Sequence, residues 1–181
     1  MPEPDEDVVS VARCLRGDAA AFEAIVNRYQ RVLFSVAYRM LGNYEDALDA
    51  TQTAFVRAYE HLDTFDPKRR FFSWIYRIAV NECLNVRRAR RSREPLPEED
   101  ESTASPLDAA TDAERSAVID SALVRLPEDQ RLVIVLRHFA DLSYGEISEV
   151  VGVPEKTVKS RLFEGRQRLG ELLGPPRGVQ A

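Results

Sequence analysis

The chain has 181 residues and a formal net charge of -5, and 44% of its residues are hydrophobic. This length allows one domain or two small ones. No run approaches the ~20 consecutive apolar residues that a membrane-spanning helix needs. The acidic start, MPEPDEDVV, is unlike a signal or transit peptide. These features predict a soluble, cytoplasmic protein.

The few cysteines and histidines argue against a metal centre. Cys14 and Cys83 are far apart in the chain, and His61 and His138 do not complete a zinc-binding pattern with them. Both cysteines fall in helical patterns, where a free cysteine behaves as a small apolar residue. We therefore expect both in the core, and no cofactor.

The charges are strongly segregated along the chain. Residues 1–9 carry a net charge of -4, residues 68–93 carry +8 and residues 94–112 carry -7. A basic block predicts a surface for a polyanion, and the acidic block a segment that avoids or imitates one. Of the 25 basic residues 22 are Arg, which suits bidentate contacts to phosphates and bases but could equally reflect a GC-rich genome.

Helical periodicity dominates the first half. Apolar residues recur every three or four positions from Phe22 to Met40, after Asp18 as an expected cap and before a terminating Gly42. Asn43 is suited to cap a second helix. An Asp-Pro loop follows at 63–70, and a third helix is predicted from about Phe71 to Arg91.

The composition then changes to a Pro-rich, acidic stretch that cannot bury a core. Beyond it the pattern is helical again, with a Ser-x-x-Glu capping box at 143–146 and a helix end at Gly152. The predicted fold is all-α: two small helical domains joined by an acidic flexible linker, the C-terminal one a helix-turn-helix. The predicted domains are residues 1–93 and 113–181, with residues 94–112 as the linker.

The last predicted helix, within GVPEKTVKSRLFEGRQRL at 152–169, has one apolar and one basic face. Such a helix can enter a DNA major groove, where Arg, Lys, Ser and Gln read base edges. An amphipathic helix with a solvated basic face is the alternative.

The third helix mixes aromatic residues with a run of arginines. Aromatic rings stack on unpaired bases while Arg follows the backbone, which is the logic of single-strand binding. Alternatively, Phe72 and Trp74 belong to the core, and the Arg run at 87–93 is a solvated helix end.

Two long segments resemble one family. EDALDATQTAFVRAYEHLDTFDPKRRFFSWIYRIAVNECLNVRRARR and LPEDQRLVIVLRHFADLSYGEISEVVGVPEKTVKSRLFEGRQRL are similar to the extracytoplasmic-function (group IV, sigma-70 family) sigma factors of bacterial RNA polymerase. The resemblance covers about residues 10 to 173. It implies a subunit that binds the core enzyme through its beta and beta-prime subunits and recognises the -10 and -35 promoter elements.

The resemblance also implies roles for individual residues. Contacts to the polymerase clamp are implied for Asp46, Asp49, Gln52 and Arg57. Contacts to the opened -10 element are implied for Phe65, Asp66, Lys68, Arg69, Arg70, Phe71, Trp74, Arg77 and Asn81. Contacts to -35 DNA are implied for Lys156, Thr157, Lys159, Ser160, Arg161, Glu164 and Arg166.

Glu164 stands where some members carry Arg. A carboxylate there would repel phosphate but could accept a hydrogen bond from a cytosine amino group. We expect it to shift the -35 preference.

The linker reaches at most ~65 Å when extended. This length suffices for two DNA-binding domains to contact promoter elements about two duplex turns (~34 Å each) apart. The resemblance implies that it threads the polymerase channels later filled by RNA; the alternative is a solvated tether. An anti-sigma partner that masks both DNA surfaces is implied as well.

Two other functional classes compete with the sigma factor. A stand-alone regulator would use only the C-terminal helix-turn-helix, but it would need neither the 68–93 basic block nor the clamp-like helix. An enzyme is disfavoured because the sequence has no Gly-rich phosphate loop and no nucleophile–His motif.

Overall fold

The computed structural model describes residues 6–93 and 112–174. Both ranges are helical, and neither contains a strand, which confirms the all-α prediction. The acidic segment 94–112 lies outside these ranges except for Asp112, which begins a helix, so the linker stays a prediction. The helices are α1 (Glu6–Leu15), α2 (Ala21–Leu41), α3 (Tyr44–Glu60), α4 (Phe71–Arg93), α5 (Asp112–Val124), α6 (Glu128–His138), α7 (Tyr144–Val151) and α8 (Glu155–Leu173).

The N-terminal domain is built on α2, α3 and α4, which pack against one another along their apolar stripes. Leu33, Val36 and Met40 of α2 are fully buried, as are Ala54 of α3 and Ile75 of α4. These positions follow the three-and-four spacing of the sequence, so local periodicity determined which face of each helix entered the core.

Helix α1 was given no bounds by the sequence analysis, which placed only its Cys14 in a helical pattern. Val11 packs into the core, while Asp7 is buried and forms an ion pair with Arg28 of α2. Helix α2 begins at Ala21 with Ala20 as its N-cap residue, two positions after the predicted cap Asp18. The Asp18 carboxylate accepts hydrogen bonds from Arg13, at 2.6 and 2.9 Å, and backbone hydrogen bonds with Ala20 and Ala21 also connect it to the start of α2.

The turn between α2 and α3 follows the sequence prediction closely. Gly42 has a φ of 68°, the left-handed conformation that ends many helices. The Asn43 side chain accepts a hydrogen bond from the backbone N–H of Asp46 at 3.0 Å and so caps α3.

The C-terminal domain contains α5 to α8, and α7 and α8 form the helix-turn-helix. Ser143 and Glu146 make the predicted capping box at the start of α7. Gly152, with a φ of 74°, makes the turn. Pro154 is the N-cap residue of α8.

The two domains are in direct contact, although they are separated along the chain by the acidic segment. Helices α2 and α4 touch α5, α6 and α7. Arg131 of α6 is almost completely buried and donates a hydrogen bond to the carbonyl of Met40, at the end of α2, at 2.8 Å. Burial lowers the pKa of this guanidinium.

The two cysteines are free thiols. Cys83 is fully buried, as predicted, and burial raises its pKa to about 12. Cys14 is only partly buried, at the edge of the same core. None of the helices in the described ranges is long and apolar enough to cross a membrane.

Candidate nucleic-acid interfaces

The loop between α3 and α4 is rigid at its base. A 3-10 turn at Leu62–Thr64 leads into it. The backbone N–H of Lys68 donates to the Asp66 carboxylate at 3.0 Å, and that of Arg69 donates to the Asp66 carbonyl at 2.9 Å. This Asx-type turn uses Asp66 as a structural residue and holds the basic side chains that follow it in the exposed part of the loop.

Three aromatic rings lie beneath this loop. Phe65 and Phe71 are 5% and 0% exposed, with ring centroids 5.2 Å apart. Trp74 is half-buried, at 5.7 Å from Phe65 and 5.4 Å from Phe71. The two phenylalanines are therefore buried residues that support the loop. Trp74 is the most exposed of the three rings, and it lines a cleft together with the edge of Phe65.

The cleft beside Trp74 has a volume of about 620 Å³. Its wall includes most of the residues predicted to hold the -10 element, and the four cations among them are all exposed. Three wall residues were not predicted: Thr64, the buried Ser73, and Glu149, which comes from α7. The cleft is lined by Thr64, Phe65, Asp66, Lys68, Arg69, Arg70, Ser73, Trp74, Arg77 and Glu149.

Asn81 lies outside this cleft. It lines a neighbouring cleft of about 530 Å³ together with Trp74 and Arg57. Trp74 thus separates two clefts, and Asn81 faces the one that also includes a predicted clamp-contact residue.

The predicted clamp contacts on α3 divide into exposed and paired residues. Asp49 and Gln52 are exposed. Asp46 forms an ion pair with Arg90, and Arg57 forms one with Glu82 at 2.8 Å. Both pairs join α3 to α4, so these two side chains also stabilise the domain.

An apolar groove of about 430 Å³ runs between α2 and α3 next to Gln52. The sequence did not indicate it, because its residues come from both helices and their periodicity resembles that of a core. Its walls include Val26, Phe34, Tyr44, Leu48 and Phe55.

Helix α8 is seated on the C-terminal domain by its inward face. Val158 and Leu162 are buried, and Gly165 lies directly against α6. Leu169 is half-buried at the end of the same stripe. The inward positions agree with the helical spacing of the sequence.

The outward face of α8 is mostly basic and polar. Lys156, Lys159, Ser160 and Arg166 are exposed. Thr157 and Arg161 are half-buried, and Arg161 pairs with Asp129 of α6 at 3.2 Å.

Glu164 is exposed but held on both sides of its carboxylate. The Ser160 hydroxyl donates to Oε1 at 2.9 Å, and the Gln130 amide of α6 donates to Oε2 at 3.2 Å. The negative charge therefore has a fixed position in the middle of the basic face.

Phe163, which is 64% exposed on this same face, was not among the predicted contact residues. The sequence could have indicated it, because an aromatic residue at 163 falls between the inward positions Leu162 and Gly165 and must therefore face outward.

His138 lies beside the basic face of α8, 3.3 Å from Arg166. Burial, together with Arg166 and Arg137, lowers the pKa of its imidazole.

The architecture defines a class of protein: all-α, with a basic cleft at the α3–α4 loop and a helix-turn-helix in the C-terminal domain. The comparisons agree with this class. The family model Sigma-70 region 2 matches residues 25–93, and Sigma-70, region 4 matches residues 116–169.

Relatives cover nearly the whole chain. The ECF RNA polymerase sigma factor SigW of Bacillus subtilis is 37% identical over 171 residues, or 87% of this chain and 91% of the relative. The ECF RNA polymerase sigma-E factor of Escherichia coli K12 is 33% identical over 188 residues, or 97% and 98%. The chain belongs to the ECF sigma factors, the subunits that direct RNA polymerase to promoters.

Solved structures of other proteins have the same fold as this chain. CnrH in complex with the cytosolic domain of CnrY matches with a TM-score of 0.75 and 30% identity, over 93% of this chain and 97% of that one. The sigma factor RpoE of Bartonella quintana, in complex with the anti-sigma factor NepR, has the same fold, with a TM-score of 0.69 and 24% identity.

Proposed function

We propose that this chain binds RNA polymerase core, captures the opened -10 element on its N-terminal domain and reads the -35 element with α8. The observation that carries the proposal is the presence of two different basic surfaces in one chain, a cleft and a helix face. The cleft beside Trp74 suits an unpaired strand, and the basic face of α8 suits a duplex groove.

The -10 strand is proposed to enter the 620 Å³ cleft. Taking a base out of the stack costs a few kcal/mol, and stacking on the exposed part of Trp74 together with contacts to the loop can offset that cost. Lys68 and Arg69 would hold the adjacent phosphates, because both are exposed at the mouth of the cleft. Phe65, Asp66 and Phe71 would act indirectly, by supporting the loop.

The -35 duplex is proposed to receive α8 in its major groove. Lys159 and Arg166 are placed for phosphate or guanine contacts, and Ser160 for a base edge. Phe163 adds an apolar contact of the kind that recognises a thymine methyl group. Glu164 would select a cytosine amino group, because its carboxylate lies among these donors.

Core polymerase is proposed to dock on α3 and the apolar groove beside it. Asp49 and Gln52 supply exposed polar contacts, and Leu48 and Tyr44 supply apolar area at the groove. This combination of an apolar centre with a polar rim is typical of protein interfaces. The groove suits a helix of the partner, since helices bind grooves through one apolar face.

The exposed surfaces of α3 and α8, proposed above for core polymerase and -35 DNA, also suit an anti-sigma partner that would exclude the polymerase. Its existence is proposed from the family, because the relative named RpoE forms a complex with the anti-sigma factor NepR. The chain is proposed to act in the cytoplasm, by binding rather than by catalysis, with no cofactor.

Run-off transcription tests the proposal. Purified core polymerase is incubated with genomic fragments, with and without this chain. New and specific start sites are expected, and mapping them gives both promoter elements. No initiation, together with tight and salt-sensitive binding to duplex DNA without core, would instead support a stand-alone regulator.

A further inference from the structure

The -10 cleft is covered by the chain's own C-terminal domain. Glu146 and Glu149 lie on α7, the first helix of the helix-turn-helix. Glu146 forms an ion pair with Arg70 at 2.7 Å. Glu149 accepts a hydrogen bond from the Ser73 hydroxyl at 2.8 Å, and its backbone carbonyl accepts one from Arg77.

These two carboxylates occupy donors that a DNA strand in the cleft would contact: Glu146 pairs with Arg70, and Glu149 accepts from Ser73. Arg70, Ser73 and Arg77 all line the cleft, and Glu149 forms part of its wall. Carboxylate and phosphate compete for the same Arg donors because each presents two negatively charged oxygens that can accept a pair of parallel N–H bonds. A strand would have to displace these contacts of α7 to engage Arg70 and Arg77 fully.

A second set of contacts holds the domains together at the far ends of α2 and α4. Arg39 pairs with Asp120 at 3.2 Å and lies 3.9 Å above the ring of Phe139. Arg87 pairs with Glu128 at 3.1 Å. These contacts orient α7 over the cleft from a separate point of attachment.

The close approach of the domains requires a glycine. A Cβ on Gly42 would lie 2.6 Å from Cγ1 of Val124, so only glycine allows α5 this close. CnrH has a similar arrangement of its two domains in its complex with the cytosolic domain of CnrY, since a TM-score of 0.75 over 93% of this chain requires both domains to superpose together.

We propose that the free chain is autoinhibited by this contact, with Glu146 and Glu149 of α7 acting as an intramolecular substitute for -10 DNA. The exposed face of α8 is not covered, so the inhibition is one-sided: -35 binding stays available and -10 binding does not. Binding to core polymerase would have to separate the domains. The inference rests on the proposed function, because it assigns the cleft to promoter DNA.

The test compares Glu149→Lys with Glu171→Lys. Both changes alter the charge of the same domain equally, but Glu171 is an exposed residue near the end of α8, and no contact places it at the domain interface. The probe is a fluorescent single strand spanning the mapped -10 element, titrated into each full chain without polymerase. If run-off yields no start site, a mixed-sequence single strand serves instead.

Glu149→Lys is expected to bind the strand about tenfold more tightly than Glu171→Lys, because the apparent dissociation constant equals the intrinsic one divided by the open fraction. Both variants should bind a -35 duplex equally. X-ray scattering should show a larger radius of gyration for Glu149→Lys alone.

Equal strand affinities for the two variants would overturn autoinhibition, as would an unchanged radius of gyration. This failure is distinct from failure of the proposed function, which wild-type run-off transcription decides. If the wild-type holoenzyme initiates transcription but the two variants bind the strand equally, autoinhibition is excluded and the sigma-factor function stands.

Discussion

Gly165 of α8 lies so close to Ile134 of α6 that an added Cβ would be 2.8 Å from Cδ1 of Ile134. It would also lie 3.2 Å from Cβ of Gln130. Gly165 therefore fixes how deeply the recognition helix sits on its domain. Glu164, the preceding residue, needs the same close packing of α8 on α6 for its hydrogen bond with Gln130.

Gly165→Ala is expected to destabilise the C-terminal domain. Overpacking typically costs about 1–3 kcal/mol, which exceeds the ~1 kcal/mol that Ala gains over Gly in a helix. Thermal denaturation gives the change, and -35 binding should weaken with it. Gly170→Ala on the same helix is the control: nothing lies within 4 Å of its Cβ, so it should stabilise. Equal effects at both positions would show that α8 is not closely seated.

Replacing Glu164 is expected to change the -35 motif. Glu164→Arg removes the acceptor proposed for cytosine and frees Ser160 and Gln130, so selected promoters should lose a cytosine and gain a guanine at one position. A good bidentate contact discriminates by about 1–3 kcal/mol. Selection of promoters from a randomised -35 pool measures this. Glu171→Arg controls for charge, and an unchanged motif would contradict the role of Glu164.

Lys68→Ala is expected to weaken promoter opening by the holoenzyme in a salt-dependent way. A cation that neutralises one phosphate of a single strand contributes about 0.7 to the slope of log K against log salt. The slope of open-complex formation should fall by about that amount. Arg16→Ala, an exposed cation in the turn after α1, should leave the slope unchanged. A similar fall in both variants would mean that Lys68 touches no phosphate.

Ser143→Ala is expected to cost about 1 kcal/mol, since its hydroxyl accepts the N–H of Glu146 at 3.3 Å and caps α7. Urea denaturation measures the loss. Ser121→Ala is the control, because that hydroxyl bonds only to Val118 within its own exposed helix turn. It should change the free energy of unfolding by much less.

The partner residue of this cap predicts an acid dependence. The backbone N–H of Ser143, and then the Ser143 side chain and Arg70, lower the pKa of Glu146 below its ordinary value of 4.5. The unfolded chain then binds the proton more tightly, so this stabilisation is complete above pH 4.5 and declines as the pH falls further. Glu146→Gln keeps the hydrogen-bond acceptor but should remove that decline. Parallel curves of unfolding free energy against pH for the wild type and the variant would exclude this contribution of Glu146.

The sequence by itself determined the helices, their inward faces and most of their ends. Apolar spacing, the Asn43 cap, the Ser143–Glu146 capping box and the glycines at 42 and 152 act within a few residues, so each is readable locally. Helix α1 was missed although Val8, Val11 and Ala12 have helical spacing, and the Asp7–Arg28 pair that joins it to α2 is a tertiary contact that no local pattern gives.

Only the tertiary structure decided which predicted site residues are exposed and which are buried. Phe65 and Phe71 turned out to be buried supports, since burial depends on which helices meet beneath the loop. The contacts of α7 with Arg70 and Ser73 span more than seventy positions and an acidic segment. No local pattern encodes such contacts, because they arise from the docking of two domains whose separate folds do not require it.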